Sequence, residues 1–235
     1  MNYKELISGI KAGMPVCVGY FSVSFGFGAM VIAQGLSVLQ GALISATNLT
    51  SAGQFAGLTV IAAGGTILEM ILTQLVINSR YALMSLALGQ KLGPDVGTGK
   101  RLIAAFFNTD ELFAIYMAGY RSLNLSYIVG SGIVAAIGWT SGTILGAVAG
   151  SILPMSLRVA IGVMLYGMFI AVVIPQAKKE KTILYCMIIA LIFSCMFKWI
   201  PVLNSTSAGL TIVICTIATA ALCAILFPID EEVSE

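Results

Sequence analysis

The 235-residue chain is 59% hydrophobic and only 9% charged, with a formal net charge of +2 and a mean hydropathy of +1.01. Soluble domains carry roughly 25% charged residues, so this composition excludes a soluble enzyme and reads as an integral membrane protein. There is no basic tract interleaved with aromatics to hold nucleic acid. The chain has no histidine, and its five cysteines lie in apolar runs without a CxxC pair, so neither a transition-metal site nor a disulfide framework is expected.

At about 20 residues per span, the length accommodates seven or eight hydrophobic segments with short loops. The expected fold class is an all-α polytopic membrane protein, a single domain over residues 1–235 with one or two broken or re-entrant helices. Residues 1–11 are amphipathic and lead into the first apolar run. Gly13-Met14-Pro15 is no small-residue cleavage site, so the first helix is expected to be retained. That span covers residues 14–33, where Pro15, Gly19, Gly26 and Gly28 permit close helix packing or a break whose carbonyls face a cavity. The second stretch, residues 38–62, is interrupted by Thr47, Asn48, Leu49, Thr50, Ser51, Ala52, Gly53 and Gln54. Cap-forming residues in mid-span predict a discontinuous helix, one half ending near Thr47 and the next beginning with Ser51 as N-cap. The positive end of the second half would then face an anion. A continuous helix with Thr and Ser bonded back to i−4 carbonyls is the structural alternative; Asn48 and Gln54 favour the broken form.

In the third stretch, residues 66–88, Glu69, Thr73 and Arg80 share one face at 100° per residue, and Gln74, Asn78 and Tyr81 another. Glu69 and Arg80 are eleven residues apart, roughly 16 Å along a helix, so they cannot pair and Arg80 needs another partner. The fourth stretch, residues 102–118, offers Asn108, Thr109, Asp110 and Glu111. Arg80 lies nine residues before Gly89 and Asp110 nine after Arg101; with a rise of about 1.5 Å per residue, the two charges sit at nearly equal depth beside the loop 89–101. Intramembrane charges usually line a substrate or proton path, whereas an ion pair that only fixes helix register is the structural alternative.

The fifth stretch, residues 127–150, carries Gly138, Gly142, Gly146 and Gly150 at four-residue spacing. They form a flat ridge for close packing on another helix, of this chain or of a second subunit. Trp139, Thr140 and Ser141 in its middle allow a second break. Residues 158–173, 182–197 and 208–227 give the sixth to eighth segments. Lys198, Trp199 and Pro201 form an interfacial anchor, and the acidic tail is solvated. Glycine-rich starts near Met14 and Tyr127 hint at inverted repeat halves, 8–118 and 124–227. Eight full crossings leave Lys and Arg nearly balanced between the two sides. A re-entrant 38–62 puts Lys91, Lys100 and Arg101 inside with Lys4 and Lys11, and Lys178 joins them only if the fourth segment is re-entrant too. The number of crossings is thus open.

Three stretches, Gly53-Gln54-Phe55-Ala56-Gly57, Asn78-Ser79-Arg80-Tyr81-Ala82-Leu83-Met84 and Thr109-Asp110-Glu111-Leu112-Phe113-Ala114, with the early Pro15 and Phe25-Gly26, together resemble the AzlC family of bacterial membrane proteins. The likeness covers most of the chain in length and hydrophobic layout. It implies a large permease subunit of the bacterial cytoplasmic membrane, working with a small AzlD-type membrane subunit. It further implies proton-driven export of branched-chain amino acids, in some members also methionine, without a cofactor. Asn78, Arg80, Asp110 and Glu111 match the family's polar motifs by position. Ser79 and Tyr81 stand where many members have a small residue and histidine, which moves any proton step here onto the carboxyls.

A leucine-like zwitterion needs an anionic partner, a cationic partner and an apolar pocket. On this reading Ser51, Gly53 and Gln54 hold the carboxylate, Gly26 and Gly28 let backbone approach, and Asn48 and Asn78 add polar contacts. Asp110 or Glu111 meets the ammonium or carries the coupling proton, with Arg80 as ion-pair partner and Glu69 as a further candidate. Burial favours the neutral form of such a carboxyl and Arg80 the charged one. The rivals are a passive pore and a structural subunit whose charges only set register. Catalysis is not expected, because the adjacent carboxyls of Asp110 and Glu111 point about 100° apart and no other catalytic constellation is present.

Overall fold

The computed structural model describes residues 2–92, 96–118, 123–152 and 180–228, together with 170, 174, 177 and 178. The predicted sixth segment and the acidic tail lie outside the described residues. The described residues form nine helices: α1 Tyr3–Ala33, α2 Val38–Thr47, α3 Ala52–Ala62, α4 Ile67–Leu92, α5 Thr98–Phe106, α6 Asp110–Ala118, α7 Leu125–Ile152, α8 Lys181–Trp199 and α9 Ala208–Leu226. Five of them, α1, α4, α7, α8 and α9, are long and apolar enough to cross a membrane. Of the seven or eight hydrophobic segments expected, these five are the ones that the described residues form as single long helices. The stretches 38–62 and 102–118 are each divided between two helices too short to span alone. Large apolar side chains such as Val18, Leu75, Leu83, Leu191 and Ile225 stand exposed, as hydrocarbon-facing residues do.

Two compact units divide the chain, one of Met1–Phe55 with Asn78–Tyr166, the other of Ala56–Ile77 with Gly167–Glu235. The first is built on α1 and α7, which run parallel and almost without side chains between them. A methyl group on Gly9 would strike the backbone of Tyr127, one on Gly142 that of Phe21, and one on Gly146 that of Phe25. The glycine ridge of α7 thus finds its partner in α1 of the same chain, and backbone-to-backbone approach of this kind is what small residues permit. The break that Trp139, Thr140 and Ser141 allow does not form, and α7 runs unbroken through them. Ser141 Oγ donates to the Gly138 carbonyl (3.2 Å) and Thr143 Oγ1 to that of Trp139 (3.1 Å), so the hydroxyls bond within the helix and leave its ladder whole.

The contacts of α4 fix its direction. Arg80 meets Asp110 at the level of Tyr20, which donates to Glu111. Eleven residues on, Lys91 Nζ reaches the carbonyls of Tyr116 (2.6 Å) and Met117 (3.2 Å). Tyr116 is bonded to Ser131, and Ser131 faces Gly13. Within the first unit, α4 therefore descends as α1 rises. In the second unit α4 opens with a capping box in which Thr66 N–H donates to Glu69 Oε2 (2.8 Å) and Glu69 N–H to Thr66 Oγ1 (3.2 Å). There Thr73 Oγ1 donates to the Gly209 carbonyl of α9 (3.4 Å), and Tyr185 of α8 stacks on Phe227.

Gly146→Ala is expected to destabilise the protein by about 1–3 kcal/mol through overpacking. Gly19→Ala, with nothing within 4 Å, is expected to leave stability unchanged or slightly raised. Thermal unfolding of the two variants in detergent measures the difference.

Candidate functional site

Two interruptions of helix organise the first unit. At residues 48–51 the Asn48 side chain accepts the Thr50 N–H (3.1 Å), an Asx turn that ends α2. Ser51 has φ 44, in the left-handed region that non-glycine residues rarely adopt. The expected N-cap geometry, an extended Ser51, is thus replaced by a left-handed one, and its carbonyl accepts the Phe55 N–H (3.1 Å). Gln54, 2% exposed, donates Nε2 to Ser45 Oγ (3.3 Å), and that hydroxyl lies 2.7 Å from Thr143 Oγ1 of α7. The other end of the amide, Oε1, is buried without a protein partner, as is Thr50 Oγ1. A buried acceptor left unmet costs about 1–3 kcal/mol.

The second interruption, residues 107–109, falls within the fourth segment, which the sequence left open as spanning or re-entrant. Thr109 N–H donates to the Phe107 carbonyl (3.1 Å), and the Phe107 ring occupies the space that a side chain on Gly132 of α7 would need. Asn108 Nδ2 donates to Ser85 Oγ of α4 (3.2 Å), while Asn108 Oδ1 is buried and unmatched. Because α6 begins at Asp110, both Asp110 and Glu111 sit in its first turn, where the positive end of the helix favours carboxylates.

The carboxylates take different partners. Asp110 Oδ2 is 2.7 Å from Arg80 Nη1, a pair about half exposed at 42% and 45%, and the Arg80 guanidinium lies 5.1 Å from the Tyr81 ring centre. Glu111 accepts instead from the Tyr20 hydroxyl. Tyr20 packs edge-on against Trp139 (5.1 Å, 77°), whose indole N–H is buried with no partner. Leu49 from the first interruption and Leu112, just after the second, share one buried cluster with Tyr20 and Trp139. Both interruptions, far apart in sequence, thus border one apolar cluster that includes Tyr20 of α1 and Trp139 of α7.

The counting that set Arg80 and Asp110 level leads to a pair in contact. Other candidates fall elsewhere. Glu69 is the capping-box carboxylate of the second unit. Gly28 lies against Thr143 and Ala147 of α7, and Gly26 is half-buried within an unbroken α1. Gly53 is buried at the start of α3 and Asn78 half-buried on α4. Tyr20, Ser45, Ser85 and Thr143 were not singled out from sequence. The one available signal was a Tyr and a Trp in mid-span, away from the interfacial belts where they concentrate. Chemically, the convergence offers carbonyl-type acceptors (Gln54, Asn108), an indole donor and a carboxylate beside apolar walls, a set able to hold a small polar headgroup with an aliphatic tail.

A double-mutant cycle on Arg80→Ala and Asp110→Ala is expected to give a coupling of about 1 kcal/mol, the scale of a half-exposed ion pair. The double variant should then be destabilised by about 1 kcal/mol less than the sum of the two single variants, as read from unfolding midpoints.

A family model described as AzlC protein matches residues 15–153, more than half of the chain. Among curated proteins, the chain is 26% identical over 193 residues to Inner membrane protein YgaZ of Escherichia coli (strain K12), covering 79% of this chain and 78% of that protein. It is 28% identical over 172 residues to an Uncharacterized membrane protein of Archaeoglobus fulgidus, covering 72% and 75% respectively. No solved structure matches.

Proposed function

The chain belongs to the AzlC family of multi-pass membrane proteins, and from that premise we propose that it is the large subunit of a proton-coupled exporter of branched-chain amino acids. In this reading it sits in the bacterial cytoplasmic membrane with a small AzlD-type subunit. The observation that carries the transport reading is the convergence of two helix interruptions on buried polar atoms without protein partners, Gln54 Oε1, Asn108 Oδ1 and Trp139 Nε1. Irregular backbone at membrane depth is tolerated where it lines a cavity, and transporters place their sites at such broken helices. The substrate ammonium meets Gln54 Oε1 and the acidic end of α6, its carboxylate meets the α3 N-terminus at Ser51–Gly53, and Leu49 and Leu112 accept the aliphatic side chain. A passive pore or purely structural subunit would leave the unmatched polar atoms without a purpose.

The same reading gives a topology in which both interrupted stretches are re-entrant, from opposite faces. Along α2, Gly41 faces Val31 and Ser45 faces Thr143, while Leu49 joins the cluster of Tyr20. Phe55 then meets Phe27 (5.2 Å), so α3 starts back the way α2 came. On the other face α5 rises to the Arg80–Asp110 level and α6 returns to Lys91. With the N-terminus inside, Lys4, Lys11, Lys91, Lys100 and Arg101 of the first unit then lie inside and Arg80 lies within the membrane, the bias the positive-inside rule demands. Within residues 8–118, the first of the proposed repeat halves, α1 and α4 are each a long helix followed by an interrupted pair.

Single cysteines at Gly35 and Gly64 in a cysteine-free chain are expected to react with an impermeant maleimide from outside, and those at Gly97 and Asn124 only from inside. Labelling of Gly35 and Gly64 from opposite faces would replace the re-entrant pair by a full crossing. For transport, proteoliposomes with and without the small subunit are loaded with labelled leucine, valine or methionine under a pH gradient. Saturable, gradient-stimulated efflux is expected, and Gln54→Leu should lower it about tenfold or more, the loss of one hydrogen bond to a charged group. Flux that neither saturates nor responds to pH would sink the exporter reading in favour of a pore.

A further inference from the structure

We propose that Glu111, and not Asp110, takes up the coupling proton, and that Tyr20 is the positioning residue that converts its protonation into a change at the α5–α6 interruption. The inference rests on the coupled-transport reading above and decides between two carboxyls that the sequence leaves equivalent.

The two differ in what faces them. Asp110 Oδ2 is 2.7 Å from Arg80 Nη1, and a proton on Asp110 would leave that guanidinium without its counter-charge. Glu111 is paired with a neutral phenol. The groups that bear on it are Tyr20 from α1, Arg80 and Tyr81 from α4, and Asp110 on its own helix; α7 contributes the uncharged Trp139 through Tyr20. Asp110 holds the arginine, and among the described residues Glu111 is the carboxyl with no cation paired to it. Proton uptake there neutralises that carboxyl and leaves the Arg80–Asp110 pair intact. Glu111 is also exposed, at the surface of the first unit and not within its packing.

The contact that Glu111 makes can reverse. A phenol donates or accepts, an ionised carboxylate only accepts, and a protonated one also donates. With Glu111 ionised, Tyr20 O–H donates to Oε2. When Glu111 binds a proton from the outside solution, its new O–H donates to Tyr20 Oη, and the phenol keeps its own proton and turns it to another acceptor. Thr109, 3% exposed, faces the same phenol and stands in the 107–109 interruption. Release of the proton to the inside restores the first arrangement, so one proton enters and one leaves per cycle with no bond broken in the phenol. Tyr20 is 6% exposed and held edge-on by Trp139 of α7, so its ring is fixed by packing while its hydroxyl can rotate toward either partner.

The test uses the full chain in lipid and two readouts. Acid-minus-neutral infrared difference spectra without substrate are expected to show a carboxylic-acid carbonyl band that is lost in Glu111→Gln, kept in Asp110→Asn, and shifted in Tyr20→Phe, where the partner hydroxyl is gone. In proteoliposomes, Glu111→Gln is expected to lose about tenfold or more of the acceleration by a pH gradient. Asp110→Asn should remain gradient-stimulated at a lower overall rate. A band that persists in Glu111→Gln and vanishes in Asp110→Asn overturns the assignment, as does gradient stimulation that survives Glu111→Gln. Absence of gradient-stimulated flux in the unaltered protein defeats the transport reading instead, and the infrared arm then decides the carboxyl by itself.

Discussion

The parallel contact of α1 with α7 is the constraint on which the first unit depends. It exists because side chains are missing where the helices touch: Gly9 and Gly28 on α1, and Gly130, Gly142 and Gly146 on α7, each sit where one methyl group would overlap opposing backbone. In hydrocarbon there is no hydrophobic force to drive helices together, so close van der Waals approach must supply the attraction. An interface made of backbone is also stiff, since it has few rotamers to adjust. That stiffness gives the rest of the unit a fixed wall against which polar groups are set.

On that wall Tyr20, Trp139 and Thr143 present aromatic and hydroxyl groups from mid-helix, and the two interruptions come to them. Ser45 docks on Thr143 and carries Gln54 with it; Glu111 docks on Tyr20, beside the pair of Asp110 with Arg80. The polar centre is thus assembled from five separate parts of the chain, each contributing one or two groups. The unmatched oxygens of Gln54 and Asn108 oppose folding by themselves, and a structure retains such groups where something other than stability selects them. The proposed transport cycle supplies that selection: a substrate that satisfies these atoms on one face and leaves them on the other.

Much of the polar inventory was legible because charges and amides stand out in an apolar chain. Arg80 and Asp110 could be set level by counting from the loop between them, since the rise per residue is the same in any helix and the loop is short. The turn at Asn48 was legible because cap-forming side chains compete with the helix ladder wherever they cluster. The same clustering misled at Trp139–Ser141, where Ser141 and Thr143 bond back within α7, and it gave no warning at residues 107–109, where Phe107 leaves the helix to fill the space beside Gly132. Both outcomes turn on a neighbour, and a neighbour is not encoded in local pattern. Glu69 illustrates the limit further: it shares a helical face with Arg80, yet its carboxylate is used three residues away, on Thr66.

Membrane character, all-helical class, family and the level pairing of Arg80 with Asp110 were determined by the sequence alone, because each rests on composition, on a motif or on the fixed geometry of one helix. Tertiary structure decided which helix the glycine ridge meets, where the second interruption lies, and which carboxyl faces an arginine and which a phenol. These depend on distances between residues some 90 to 120 positions apart, such as Tyr20 and Glu111 or Gly9 and Tyr127. Periodicity measures the angle of a side chain about its own helix axis; it carries no record of what stands opposite.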